Sequence, residues 1–370
     1  MYPKNEPMEK IKLIVTADDY GVIPEIDKAT ISAIKNGIVN CISFITNFSH
    51  AKKAFRNLVK ELKAANLLDK VAVGLHLNIT MGPPLLHPSK VKSLVSSTNN
   101  FYTFRTYQKS PDLDRFDIQE IKNEAISQVQ QFINISREIC QEENIDFIPI
   151  DHITSHFNLF HTVPDLADIL VELCNLFKQF GTKPSLAIPI RRPLPIMVEY
   201  EGFPFGLGPK VKEVSKESID YMLFKNFSIG ALYYRSKWLK KDKLRDLILS
   251  KFTPNKVRMP HAMFLSFYGT AHSFENKIDQ FIAMLGDLRK AAVKDGIIKE
   301  GDTFFIEIVH HLGNRTTVAR RKEIKITGFD KRYLRKYRPN EVEITESDRY
   351  SDLLRIGGIS HGKFSDIPKI

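Results

Sequence analysis

The sequence predicts an α/β protein, a TIM-like (β/α) barrel with elaborated loops, and three observations carry that expectation. Short apolar runs of five to seven residues recur with polar residues at their carboxyl ends, which is how strands buried on both faces read. Between them lie segments with helical apolar spacing, and strands alternating with helices imply parallel βαβ units. At 370 residues, 43% hydrophobic and 26% charged, the chain is long enough for one barrel with insertions and apolar enough to fill its core. A doubly wound open sheet fits the same rhythm and is the alternative.

The elements follow in order. Residues 11–15 read as the first strand. Pro24 opens a helical pattern through Lys35, because its fixed φ and missing N–H suit a first helical turn, and Gly37 stops it. Residues 41–45 read as a second strand, 51–65 as a second helix and 71–77 as a third strand. Residues 81–110 break the rhythm: Pro83, Pro84, Pro88 and a polar tract at 96–100 predict a long loop with one short helix, and such loops are often functional. A helix over 117–143, a strand over 147–153, a helix over 163–180 and a strand over 185–190 restore it. The stretch 193–254 is the least regular, with turns around Phe203-Pro204-Phe205-Gly206, helical patterns near 216–224 and 241–251, and the only tryptophan, Trp238. It reads as an insertion that shapes substrate choice, with Tyr233, Tyr234 and Trp238 either stacking on a ligand or packing the insertion down. A strand over 264–268, a helix over 274–293 and a strand over 303–309 follow. No internal repeat is present. The expected organisation is a single domain over 10–370 interrupted by 193–254.

Composition excludes several classes. No run approaches the roughly 18–20 apolar residues of a membrane helix. The first twelve residues mix acids and bases with no apolar block, so no secretory signal is expected there and the expected location is cytoplasmic. Cys41, Cys140 and Cys174 form no C-x-x-C pair and no disulfide framework, and read as buried free thiols. The net charge of +11 is concentrated over 315–338, where ten Lys/Arg stand against Glu323 and Asp330. No zinc-finger, RNP or basic-zipper pattern accompanies it, so no nucleic-acid partner is expected. The plain reading is a solvated basic face; the functional one is attraction of an anionic substrate.

Polar residues cluster where the expected strands end, the rim on which barrels assemble active sites. One strand ends in Ala17-Asp18-Asp19-Tyr20-Gly21, another in Gly74-Leu75-His76-Leu77-Asn78, a third in Asp151-His152-Ile153-Thr154-Ser155-His156, and a late one in Glu307-Ile308-Val309-His310-His311-Leu312-Gly313. One carboxylate with two imidazoles suits a divalent ion with open positions, and a neighbouring carboxylate can then act on water. Each residue alone has a bland reading: Asp18 and Asp19 can cap the following helix, and His76 can be a hydrogen-bonded core histidine. No P-loop or G-x-G-x-x-G is present, which weakens NTPase and dinucleotide readings.

These blocks resemble a family. Leu13-Ile14-Val15-Thr16-Ala17-Asp18-Asp19-Tyr20-Gly21, Gly37-Ile38-Val39, Ile42-Ser43, Gly74-Leu75-His76-Leu77-Asn78-Ile79-Thr80, Gly82 and Pro84-Leu85 are similar to the YdjC/ChbG-type carbohydrate deacetylases, as are Phe264 to Gly269 and His311-Leu312-Gly313. The resemblance implies a (β/α)-barrel hydrolase that removes an acetyl group from an N-acetylated sugar or sugar-containing lipid, with a divalent metal (Mg or Zn) activating the water that attacks the acetamide. Carried over by position, it implies Asp19, His76 and His156 as metal ligands, Asp18 as general base and His311 as general acid. It also implies a homodimer. The chain departs from the family at Thr154 (usually Asp), Asn158 (usually His) and Leu312 (usually Pro). Asn78, Arg191, Arg192, Trp238 and Arg315 are the expected substrate contacts, with Arg191 and Arg192 alternatively pairing with rim carboxylates. Arg320, Arg321 and Lys322 stand near the same end. The competing reading is a catalytically idle barrel that binds a glycan or anionic ligand.

Overall fold

The computed structural model describes residues 10–109, 113–178, 188–191, 257–265, 278–294, 296–313, 342–343, 345–348, 351, 354 and 359–368. The insertion 193–254 and the basic stretch 315–338, with Arg192, Tyr233, Tyr234, Trp238, Arg315, Arg320, Arg321 and Lys322, lie outside them. The described strands are β1 (Ile11–Tyr20), β2 (Cys41–Phe44), β3 (Ala72–Leu77), β4 (Ile153–Ser155), β5 (Ala262–Leu265), β6 (Phe304–His310) and β7 (Ser360–His361). The helices are α1 (Pro24–Asn36), α2 (Ala51–Ala64), α3 (Phe104–Lys109), α4 (Ile118–Glu142), α5 (Leu159–Thr162), α6 (Pro164–Leu176) and α7 (Ile278–Lys294).

All strand pairs are parallel, in the order β4-β3-β2-β1-β6-β5, with β7 beside the start of β1. The fold is therefore α/β on a curled parallel sheet, a half-barrel of strands. Beyond β4, Ile190 bridges Ile153 in parallel and its N–H donates to the Arg258 carbonyl at 2.9 Å.

Strand alternation sorts the side chains onto two faces. Leu13, Val15, Ile42, Phe44, Val73, Leu75, Ile153, Ile306 and Ile308 join the main core with Ala54, Phe55, Leu58 and Phe132 from α2 and α4. Phe44, Phe55 and Phe132 pack with ring centroids 5.4–5.9 Å apart. The opposite face starts apolar, with Ile14, Cys41, Ala72 and Phe305 against Phe364 and Ile367. Farther along the same face it turns polar, with Thr16, Asp18, Ser43, His76, His152, Thr154 and Glu307, all buried.

Two boundaries differ from the sequence reading. The first strand does not stop at Val15 but continues to Tyr20, because β2 and β6 pair with it there and bury Asp18 and Asp19. Conversely, the strand expected over 147–153 is confined to Ile153–Ser155. Pro149 has no N–H to give a ladder, and Phe147 lies exposed.

The α4 helix, N-capped by Asp117, holds the loop that follows β3. Gln128 receives the Asn78 N–H at 2.9 Å and donates to its carbonyl at 2.7 Å, while Glu124 accepts from the Leu85 and Leu86 N–H groups.

Candidate active site

Asp18 and Asp19 are consecutive in a strand, where neighbours normally face opposite sides. A register shift resolves this: Ala17 pairs Ile42 and Tyr20 pairs Phe44, so β1 carries one extra residue. Asp19 takes φ +67 there, the left-handed region that Asp tolerates better than most residues, and Gly21 follows at φ +93. Both carboxylates consequently reach the same end of the sheet.

Asp19 Oδ1 lies 3.6 Å from His76 Nε2 and 3.8 Å from His156 Nε2. Two nitrogen and oxygen donors on one zinc-sized ion lie no farther apart than about 4.2 Å. The imidazoles approach edge-on, with centroids 5.9 Å apart. A threonine holds each ring from behind. Thr154 Oγ1 is 2.6 Å from His76 Nδ1 and donates its own proton toward the Leu75 carbonyl. Thr80 Oγ1 is 2.6 Å from His156 Nδ1 and donates to Asn78 Oδ1. Each hydroxyl thus accepts from Nδ1–H, which leaves the Nε2 lone pair facing Asp19. Burial lowers the pKa of His76 to about 4, so it is neutral at pH 7 and able to ligate. The donor set of one carboxylate and two imidazoles fits a divalent metal.

Arg191 lies behind this group, fully buried. Its guanidinium makes paired bonds of 2.7 and 2.8 Å to Asp18 and a bond of 2.9 Å from Nε to Glu307 Oε1. Burial pushes the Asp18 carboxyl up, but the Arg191 charge and hydrogen bonds, with His76 and His311, hold it well below the ordinary range. Burial also raises Glu307, against the pull of Arg191. His311 Nε2 stands 3.9 Å from Asp18 Oδ2 and is partly exposed.

The residues expected from sequence are placed as follows. Asp18, Asp19, His76, His156 and His311 are brought together. Of the two roles open to Arg191, the geometry is that of a partner for rim carboxylates. Asn78 is buried, donates to Asn47 and the Met81 carbonyl, and accepts from Thr80 and Met81; it shapes the loop that delivers Thr80. Asn158 takes φ +52 at the start of α5, a conformation asparagine tolerates. Sequence reasoning missed Thr80 and His161. His161 is buried with Nδ1 2.9 Å from Ser155 Oγ, and nothing in its local sequence marks it. His152 is not at the rim: it sits deeper, beside Cys41 and Asp151, and those three side chains form a further group able to hold a metal.

The sequence profile of the family described as YdjC-like protein matches residues 12–355. A carbohydrate deacetylase of Thermoanaerobacter pseudethanolicus is 30% identical over 144 residues, 39% of this chain and 49% of that protein. One from Clostridium beijerinckii is 29% identical over 163 residues, 44% and 56% of the two chains. The chain thus spans about half the length of these relatives. The crystal structure of a candidate cellobiose-phosphate cleavage protein from Enterococcus faecalis superposes with a TM-score of 0.58 at 17% identity, covering 96% of this chain and 98% of that one. At that identity the likeness bears on the fold alone.

Proposed function

This chain belongs to the YdjC-like protein family, and on that premise we propose that it is a metal-dependent hydrolase that removes an acetyl group from an N-acetylated sugar or sugar-containing lipid. The observation that carries the reading is the convergence of Asp19, His76 and His156, with each imidazole fixed by a threonine hydroxyl. The names of the carbohydrate deacetylases it resembles support the reaction. Two nitrogen donors weigh toward zinc over magnesium, which prefers oxygen. When bound, such an ion supplies Lewis acidity, polarising the acetamide carbonyl and lowering the pKa of water.

The chain's own residues do the rest. Asp18, kept ionised by Arg191, takes the proton from the attacking water at its carboxylate. His311, beside Asp18 at the partly exposed edge, gives a proton to the departing amine. Thr154, standing where the family has an acid, supports an active site over an idle one, because it holds His76 in the ligating tautomer. The Ile153 N–H donates to the Pro189 carbonyl, the Arg191 N–H to the Ile153 carbonyl and the Ile190 N–H to the Arg258 carbonyl, which supports closure of the sheet into a barrel through 188–191. The wider reading is one domain over 10–370, cytoplasmic and homodimeric, with 193–254 over the rim and the 315–338 charge favouring a phosphate- or carboxylate-bearing substrate.

The test is metal analysis of the purified protein with acetate release from a panel of N-acetylated sugars, neutral and anionic. Asp19→Ala is expected to lose metal and activity together. Asp18→Asn is expected to keep metal and lose about 10²-fold or more in rate, since a proton acceptor and not a ligand has gone. A protein with neither metal nor acetate release across the panel overturns the reading.

A further inference from the structure

We propose that Cys41, Asp151 and His152 form a second metal site, deeper in the sheet than the rim residues, that takes a zinc-like divalent ion with one thiolate, one carboxylate and one imidazole. This does not rest on the deacetylase reading, since none of the three belongs to the rim machinery.

Cys41 Sγ is 3.6 Å from His152 Nδ1, and Asp151 Oδ2 is 3.2 Å from the same nitrogen. One ligand atom from each of the three lies within 4.8 Å of the others. Around a tetrahedral zinc, with bonds of about 2.3 Å to sulfur and about 2.0–2.2 Å to nitrogen and oxygen, the S···N and N···O edges are about 3.6 and 3.4 Å. The side chains already hold nearly that spacing. The alternative, a Cys–His–Asp proton relay, needs the two ring nitrogens to serve different partners. Here Nδ1 is the nearer nitrogen to Cys41 as well as the partner of Asp151, and Nε2 faces Ser43 Oγ at 3.4 Å. Cys41 and His152 are also wholly buried, out of reach of a substrate.

The site is built rather than incidental. The His152 ring is stacked on Phe364, with centroids 4.2 Å apart and planes 16° from parallel. Its other side fills the place of a missing side chain: a Cβ on Gly74 would lie 2.3 Å from His152 Cε1. The plane of the ring is thereby held, and in the orientation present Nδ1 faces Cys41 and Asp151. Charge matches as well. Burial and the Asp151 and Glu307 charges push the Cys41 thiol up, so without an ion it keeps its proton; on binding that proton leaves, the thiolate and the Asp151 carboxylate balance a divalent ion, and Nε2–H can donate to Ser43. Glu307 adds a buried carboxylate whose charge reaches both Cys41 and His152, and its Oε2 makes no hydrogen bond among the described residues. A cavity of 680 Å3 lined by Ala72, Asp151, Lys363 and Ser365, among others, reaches Asp151 and gives an ion and a fourth, water ligand a route in. Because Phe364 lies on His152, an ion here would staple β2, β4 and the segment around Phe364 together.

The experiment is a Co2+ titration of the full-length chain, read by absorption. Cobalt bound to a thiolate gives an intense near-ultraviolet charge-transfer band, and the rim site has no cysteine. The expected result is a band that saturates at one equivalent, disappears in Cys41→Ser with loss of that equivalent, and persists in Asp19→Ala. If the rim reading fails, total stoichiometry drops to one and the band stays, so the two failures are distinguishable. Folded wild-type protein that takes up cobalt without the band, or takes up none, overturns the proposal without any variant. A band that survives Cys41→Ser unchanged overturns it equally.

Discussion

Arg191 is set between two buried carboxylates, Asp18 and Glu307. Breaking such a group by removing one partner typically costs about 3–5 kcal/mol, since the remaining charges stay buried. Arg191→Met is expected to destabilise by that order, read by urea unfolding. Arg191→Lys cannot reproduce the paired bonds to Asp18 and is expected to recover only part of it. The two threonines act on the ligands instead. Thr154→Val removes a hydroxyl at nearly constant volume and leaves His76 Nδ1 without its acceptor. Metal affinity is expected to fall about 10–100-fold by metal titration, with Thr154→Ser restoring most of it. The carboxylate and imidazole residues were legible in sequence because few other roles bring so many of them to strand ends. The hydroxyls were not: Thr154 read as a departure from a family pattern, since a threonine in a strand is ordinary β-sequence.

At the scale of an element, β1 decides whether the site exists. Its extra residue turns two adjacent aspartates to one end, and Gly21 makes the turn possible. A Cβ at Gly21 would lie 2.5 Å from Phe44 Cε2 and 2.7 Å from the Ile45 carbonyl, at a φ that strains any other residue. The Gly21 N–H also donates to Asp27, which His50 contacts from the other side. Gly21→Ala is expected to destabilise by about 1–3 kcal/mol and to lower metal affinity with it, because Asp19 shifts. Thermal melts with a metal titration check both. A variant that melts lower but binds metal as before would detach the bulge from the site. The A-D-D-Y-G string showed that a strand ended near charged residues, but not that the strand ran through them. Periodicity cannot register an inserted residue, because a bulge is set by pairing with β2.

For the molecule as a whole, acid sensitivity follows from burying neutral histidines. Burial lowers His161 to about 3, while in the unfolded chain it titrates near its ordinary 6.5. Below 6.5 the unfolded state binds a proton that the folded state refuses, so stability falls as pH drops, by about 1.4 kcal/mol per pH unit for this one group, until about pH 3. His76, lowered to about 4 in the absence of metal, acts in the same direction. Unfolding free energies of metal-free protein between pH 7 and 4.5 should show the slope, and His161→Phe should reduce it by one proton; an unchanged slope would count against His161 as a source. No helix among the described residues is long and apolar enough to cross a membrane. The sequence by itself determined the α/β class, the parallel rhythm and the acidic and imidazole residues at the strand ends, because buried strands and amphipathic helices leave periods that local pattern carries. Only the tertiary structure decided that β1 runs to Tyr20, that Arg191 joins Asp18 to Glu307, and that Cys41, Asp151 and His152 meet below the rim. Those are contacts between residues distant in sequence, 173 positions apart in the case of Arg191 with Asp18, and nothing short of pairing strands in register brings them together.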